Sequence, residues 1–228
     1  MKKTALLVSI LMTLLVGASY AQSTGPQTVD VNTKYSYQPG AAATTGNTYL
    51  WTVTPTTSIT DGFTLTNNDK FQAQILWKKP GIYTVKVTEK TGVNCTNYKE
   101  ITVTVDNNLT INFDVAVATC ADAGLSGSTT TVDGGVTVSG GTFPWNVTVT
   151  DGTTQKSFTV TESGTTGTGT NSFSYDLTNN PGGADAVKTI SIVSATDANG
   201  VTPPDVSSTQ ELRIHQIPNT SEIQYQAL

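Results

Sequence analysis

From Tyr35 to Val105 apolar side chains recur at every second position. Tyr49, Trp51 and Val53 fall on one face, and Phe71, Ala73, Ile75 and Trp77 on another. Tyr83, Val85 and Val87 follow, then Ile101, Val103 and Val105. Successive side chains leave a strand on opposite sides, so this period of two predicts strands with one buried face. Turn formers separate the runs: Asp61-Gly62, Asn67-Asn68-Asp69, Pro80-Gly81 and Gly92-Val93-Asn94. Short alternating strands at this spacing predict an antiparallel sandwich over residues 22–106. Asp106-Asn107-Asn108 reads as the break between two units.

A second block of the same kind occupies residues 107–215. Its predicted strands carry Ile111, Phe113, Val115 and Val117, then Val136 and Val138, then Trp145, Val147 and Val149. Phe158 and Val160, Phe173, Tyr175 and Leu177, Ile190 and Ile192, and Leu212 and Ile214 complete it. The Gly/Thr/Ser stretch over 163–172 reads as a hairpin loop and 179–183 as a turn. Residues 216–228 read as an extended tail. The predicted class is all-β, two tandem antiparallel β-sandwich domains. Their structural core is centred on Trp51, Trp77, Tyr83 and Trp145. Tyr83 begins an inward series two residues before Val85, a placement suited to a tyrosine corner, in which the hydroxyl ties a bend to nearby backbone. Trp51 is expected to meet Trp77 across the core, and Lys78-Lys79-Pro80-Gly81 to form a solvated bend.

Composition places the chain in a compartment. Lys2 and Lys3, an apolar run over 5–16 and Ser19-Tyr20-Ala21 have the form of an export signal, with cleavage expected between Ala21 and Gln22. The apolar run is short for a membrane span, and no second run approaches spanning length, so no transmembrane segment is expected in the processed chain. Twelve basic residues stand against seventeen acidic ones, a net charge of −5. Cleavage would remove Lys2 and Lys3 and leave −7, a field that disfavours nucleic acid.

Catalytic chemistry has little to stand on. His215 is the one histidine, there is no nucleophile elbow or phosphate-cradling loop, and no Cys/His spacing suits zinc. The expectation is a non-enzyme with no cofactor and no metal site. Asp61, Asn67, Asn68, Asp69, Asp197 and Asn199 have oxygens suited to calcium, but such residues are equally what turns need, and the turn reading is favoured. Tyr35, Tyr37 and Trp145 are candidates for a carbohydrate platform, with core packing favoured for Trp145. Cys95 and Cys120 form an even pair in an exported chain, so a disulfide is open to them, as are free thiols or a bond to a partner. Modules strung end to end would hold the two cysteines at opposite ends, and pairing would require the modules side by side.

Residues 49–53 (YLWTV), 75–77 (ILW), 81–85 (GIYTV) and 92–95 (GVNC) resemble a PKD-like, immunoglobulin-type domain. VSGGTFPWNVTVTDG over 138–152 and ATDANGVT over 195–202 resemble a SprB-repeat-like module. Val201 stands where that module carries its late cysteine. The resemblance implies immunoglobulin-like sandwiches, as in Bacteroidota cell-envelope proteins linked to gliding and type IX secretion. It implies a structural or adhesive role with an envelope or outer-membrane protein as partner, or, as the alternative, carbohydrate binding with a glycan partner. The implied location is the cell surface or outer membrane, with the periplasm as the alternative.

Overall fold

The computed structural model describes residues 25–40, 42–115, 118–120, 127, 129–164, 167–179 and 182–216. The expected cleavage site at Ala21 and Gln22, Val117, and tail residues 217–228 lie outside them. All regular structure among the described residues is β.

Seven strands build the first sandwich: β1 (Gln27–Asp30), β2 (Lys34–Tyr37), β3 (Thr48–Pro55), β4 (Phe63–Thr66), β5 (Ala73–Trp77), β6 (Gly81–Lys90) and β7 (Thr96–Asp106). One sheet has the order β1-β7-β6-β3 and the other β2-β5-β4. Eight build the second: β8 (Thr110–Phe113), β9 (Ala118–Cys120), β10 (Thr129–Ser139), β11 (Trp145–Thr150), β12 (Gln155–Val160), β13 (Thr168–Thr178), β14 (Ala186–Thr196) and β15 (Thr209–His215). Its sheets have the orders β13-β10-β8 and β12-β11-β14-β15-β9. The chain is thus two tandem immunoglobulin-like β-sandwiches. Two pairings depart from the antiparallel expectation, because β1 runs parallel to β7 and β9 parallel to β15.

The alternation read from sequence becomes burial along each strand. In β6, Tyr83, Val85 and Val87 turn inward while Ile82, Thr84 and Thr88 turn out. Each fully buried aliphatic side chain contributes about 1.5–3 kcal/mol of transfer free energy before entropy is subtracted. Trp77 and Tyr83 lie at the centre of the first core, their rings 4.9 Å apart, with Tyr37 and Phe63 edge-on or tilted around Trp77. The expected Trp51–Trp77 pairing is replaced by this cluster. Trp51 instead donates its indole N–H to the Lys70 carbonyl at 2.9 Å. Trp51 and Trp145 are both buried.

The second sandwich differs from expectation at two places. The 163–172 segment is not all loop, because β13 begins at Thr168. Its Gly169 sits where a Cβ would lie 2.5 Å from the Thr161 carbonyl and 2.6 Å from the Phe143 ring. A close approach of this kind puts glycine inside a strand and disguises it as loop composition. The first strand of the block also breaks, β8 pairing with β10 and β9 with β15. The chain changes sheet near Asp114 and Val115, whose carbonyls both accept from the buried Gln210 side-chain amide, at 3.0 and 3.3 Å.

Candidate functional site

The motifs at 138–145 and 195–202 meet at one end of the second sandwich and face the first. Asp197 is the centre. Its side chain is buried, and one oxygen accepts the amides of Asn199 and Val201 at 2.9 and 2.8 Å. The other accepts the Thr142 amide at 2.9 Å, and Ala198 N–H returns a bond to the Thr142 carbonyl. These oxygens therefore serve backbone donors, the use a turn makes of a carboxylate. Asn199 adds a side-chain bond to the Thr142 hydroxyl at 2.8 Å.

Asn32, in the turn between β1 and β2, reaches this cap from the first sandwich. Its φ is +59°, a left-handed conformation that asparagine tolerates better than most residues. Its amide donates to the Trp77 carbonyl at 2.7 Å, and Trp77 N–H donates to the Thr33 carbonyl at 2.9 Å. The end of β5 thereby fixes the turn and aims the Asn32 side chain outward. Its Nδ2 donates to the Gly141 carbonyl at 2.7 Å, and its Oδ1 accepts from the Thr142 hydroxyl at 3.0 Å. In the linker, Asn107 Nδ2 donates to the Thr202 carbonyl at 2.8 Å while its Oδ1 accepts the Leu109 amide. Among the described residues two direct side-chain hydrogen bonds thus cross between the sandwiches, both at Asn32, and a third ties the linker to the second sandwich.

The bend at 78–81 closes the same end of the first sandwich. It is half-buried rather than a fully solvated turn, and the amides of Lys78 and Lys79 both donate to the Gly62 carbonyl. The Tyr83 hydroxyl donates to the Lys79 carbonyl at 2.9 Å, four residues back. Burial pushes the Tyr83 phenol above its ordinary range. The Tyr37 phenol, buried and accepting from the Trp77 indole at 3.3 Å, is pushed up to about 12 by that burial. Both hydroxyls therefore act as neutral bonding groups.

The opposite end of the first sandwich carries an open sheet edge. β7 pairs with β6 along its whole length, but with β1 only over Val103 to Asp106. Among the described residues no strand lies beside positions 96–102. Residues 96–100 are exposed on both faces. Leu50, Thr88 and Tyr98 form one outward row across β3, β6 and β7, with Leu50 and Tyr98 about half exposed. Lys86 lies over the Tyr98 ring at 4.0 Å.

The remaining candidates are scattered. Cys95 and Cys120 are both free and exposed, so the disulfide left open by the sequence is not formed. Cys95 lies in the β6–β7 turn, the full length of β7 from the linker, while Cys120 ends β9 in the other sandwich. The eleven residues of β7 alone span roughly 33 Å, several times the reach of a disulfide. His215 pairs with Asp185 at 2.8 Å on an exposed surface. Tyr35 is partly exposed, whereas Tyr37 and Trp145 are core residues. Asp61 and Asn67 adopt positive φ in turns. Among the described residues no cluster of three potential metal ligands occurs. No helix there is long and apolar enough to cross a membrane. Sequence reading missed Asn32 and gave Thr142 and Asn107 no bonding role beyond the motif and the break that contain them, since a polar residue in a turn carries no periodic signal.

No family model matches the sequence, and no curated protein matches it. Solved structures that the chain matches include the PKD domain of the KIAA 1837 protein, 20% identical over 37% of this chain and 84% of that one, TM-score 0.30. A chimeric titin Z1Z2 is 11% identical over 83% of this chain and 91% of its own, TM-score 0.33. The Bacteroides ovatus SGBP-B of a mixed-linkage glucan utilization locus, solved with a heptasaccharide, is 13% identical over 86% of this chain and 44% of its own, TM-score 0.29.

Proposed function

We propose that the protein is a non-enzymatic, exported cell-envelope component that holds two immunoglobulin-like sandwiches in a fixed end-to-end arrangement and presents their outer ends to partners. The observation that carries this reading is the junction. Asn32 of the first sandwich bonds Gly141 and Thr142 of the second, and the linker residue Asn107 bonds Thr202, an arrangement that only one orientation satisfies. A linker without such bonds would leave the modules free to reorient. The finer assignment, a structural or adhesive part of the surface or gliding machinery of Bacteroidota, rests on the sequence resemblance. Affinity capture from solubilised envelopes, with protease accessibility on intact cells, tests it. Co-purification of outer-membrane or motility proteins supports the role, and an inaccessible, unpartnered protein refutes it.

A carbohydrate-binding role has one observation in its favour, the exposed row of Leu50 and Tyr98 on the flat outer face of the first sandwich. Aromatic faces suit sugar stacking because they join an apolar surface to low side-chain entropy. Retention on a polysaccharide array that is lost in Tyr98→Ala supports this second reading, and absence of retention ends it.

A further inference from the structure

We infer that the open edge of β7 over residues 96–102 is a strand-acceptor site for the C-terminal segment 222–228 of a second copy of this chain, so that copies join head to tail. The inference goes beyond the spacer role and rests on the end-to-end arrangement, not on export. Strand addition supplies main-chain hydrogen bonds from a partner to an unpaired sheet edge.

The acceptor is defined by two strands that stop at different places. β6 supports β7 from Thr96 to Asp106, whereas β1 covers it only from Val103 onward. Upstream of β1 the chain offers Gly25 and Pro26, neither of them in a strand. A proline opposite Thr102 has no N–H to give to the ladder, so β1 is not extended along the edge there. Among the described residues the uncovered edge is seven residues long. One of its amides carries a substitute partner: Tyr98 N–H donates to the Asn97 side-chain oxygen at 2.9 Å. That bond shows the Tyr98 amide is directed away from β6, and it holds the site closed until a better acceptor arrives.

The donor is defined by pattern. Ile223, Tyr225 and Ala227 alternate with Glu222, Gln224 and Gln226. This is strand periodicity without proline or glycine. Reach excludes a donor from the same molecule. β15 ends at His215, paired with β14 near Ala186, while the other end of β14, at Thr196, adjoins the junction. The acceptor lies on the far side of that junction, toward the β6–β7 turn. Two strand lengths of roughly 33 Å separate the two outer ends, against roughly 18 Å available to the link 217–221. Donor and acceptor at opposite ends form a heterologous contact, which adds copies head to tail into an open chain or a ring.

The test is sedimentation velocity of the processed protein, expressed whole, over a range of concentrations. The expected result is a ladder of species beyond the dimer. Deletion of 217–228 should leave only monomer, as should Tyr98→Pro, which removes an outward N–H without removing a β6 bond. Tyr98→Ala retains the amide and should still assemble, and unchanged thermal transitions show that each variant is folded. Asn97→Ala frees the amide and should shift the ladder to larger species. A synthetic peptide of residues 221–228 should disperse it. The proposal is overturned by a protein that stays monomeric at every concentration, even one whose edge binds the peptide. It is equally overturned by a dimer that grows no further, or by assembly that survives both the deletion and Tyr98→Pro.

Discussion

Replacing Tyr83 by phenylalanine isolates one hydrogen bond at the most crowded place in the first sandwich. The ring would keep its neighbours, Trp77 at 4.9 Å and Phe63 at 6.0 Å, so apolar burial is unchanged. What disappears is the hydroxyl's bond to the Lys79 carbonyl at 2.9 Å, four residues away across the 78–81 bend. A neutral bond of this kind contributes about 0.5–1.5 kcal/mol net, and a deserted acceptor in a half-buried bend places the loss near the upper figure. For a sandwich of this size each kcal/mol corresponds to about 4–8 °C in melting temperature. Urea unfolding read by hydrogen exchange of peptides from β6 and from β14 separates the two modules. The expected outcome is a lower midpoint for β6 with β14 unchanged. An unchanged β6 midpoint would refute the claim that the hydroxyl ties the bend, and an equal fall in both would refute its local character.

Other perturbations test other parts of the fold. Gly134→Val should destabilise the second sandwich by about 1–3 kcal/mol through overpacking, because a Cβ there would lie 2.5 Å from the Phe173 ring and 2.6 Å from Gln210 Oε1; circular dichroism melting measures it. Asn32→Ala combined with Asn107→Ala should leave both melting transitions in place while nitrogen-15 relaxation shows the modules tumbling separately; a single correlation time would show that the side chains do not fix the junction. Burial raises the Tyr37 phenol to about 12 and raises those of Tyr83 and Tyr175. Since the fold favours the protonated form, this stability is complete below the unfolded value near 10 and is lost as pH rises further, for Tyr37 through about 12. Phenolate absorbance should therefore appear together with unfolding. Lys188, 2.8 Å away, followed by the amides of Thr154 and Thr153, holds the Asp151 carboxyl well below the usual range. Its contribution is present above the unfolded value of about 3.9 and is lost as pH falls toward the folded one. Asp151→Asn should lower stability at neutral pH and flatten the acid limb of a urea-midpoint profile.

Burial and alternation carried most of the fold from sequence alone. Trp77, Tyr83, Val103 and Val147 could be placed on inward faces because a period of two has one physical meaning in a Thr/Val-rich chain. The strands that escaped are short, or are disguised by glycine. β1 has four residues and β9 three, and neither sustains a period. β13 begins in Thr168-Gly169-Thr170, where close approach to Phe143 requires glycine. The partner of Trp77 was misjudged because sequence gives the face of a side chain but not its position along the opposing strand. The junction was legible only as two motifs of turn formers. Nothing in Asn32 distinguishes it from an ordinary turn asparagine until Gly141 and Thr142 are seen across from it.

The parallel pairing of β1 with β7 governs how the protein carries a pull along its chain. Tension entering through residues before Gln27 and leaving through Asp106 draws the two strands lengthwise past each other. All four register pairs, from Gln27–Val103 to Asp30–Asp106, are then loaded in shear together. An antiparallel pair pulled at adjacent ends opens one bond at a time, but this pair must slip as a unit. β9 and β15 repeat the device with three pairs, Ala118–Arg213 to Cys120–His215. The first sandwich thus has a shear clamp between its entering and leaving strands, and the second has one between β9, which follows its entering strand β8, and its leaving strand β15.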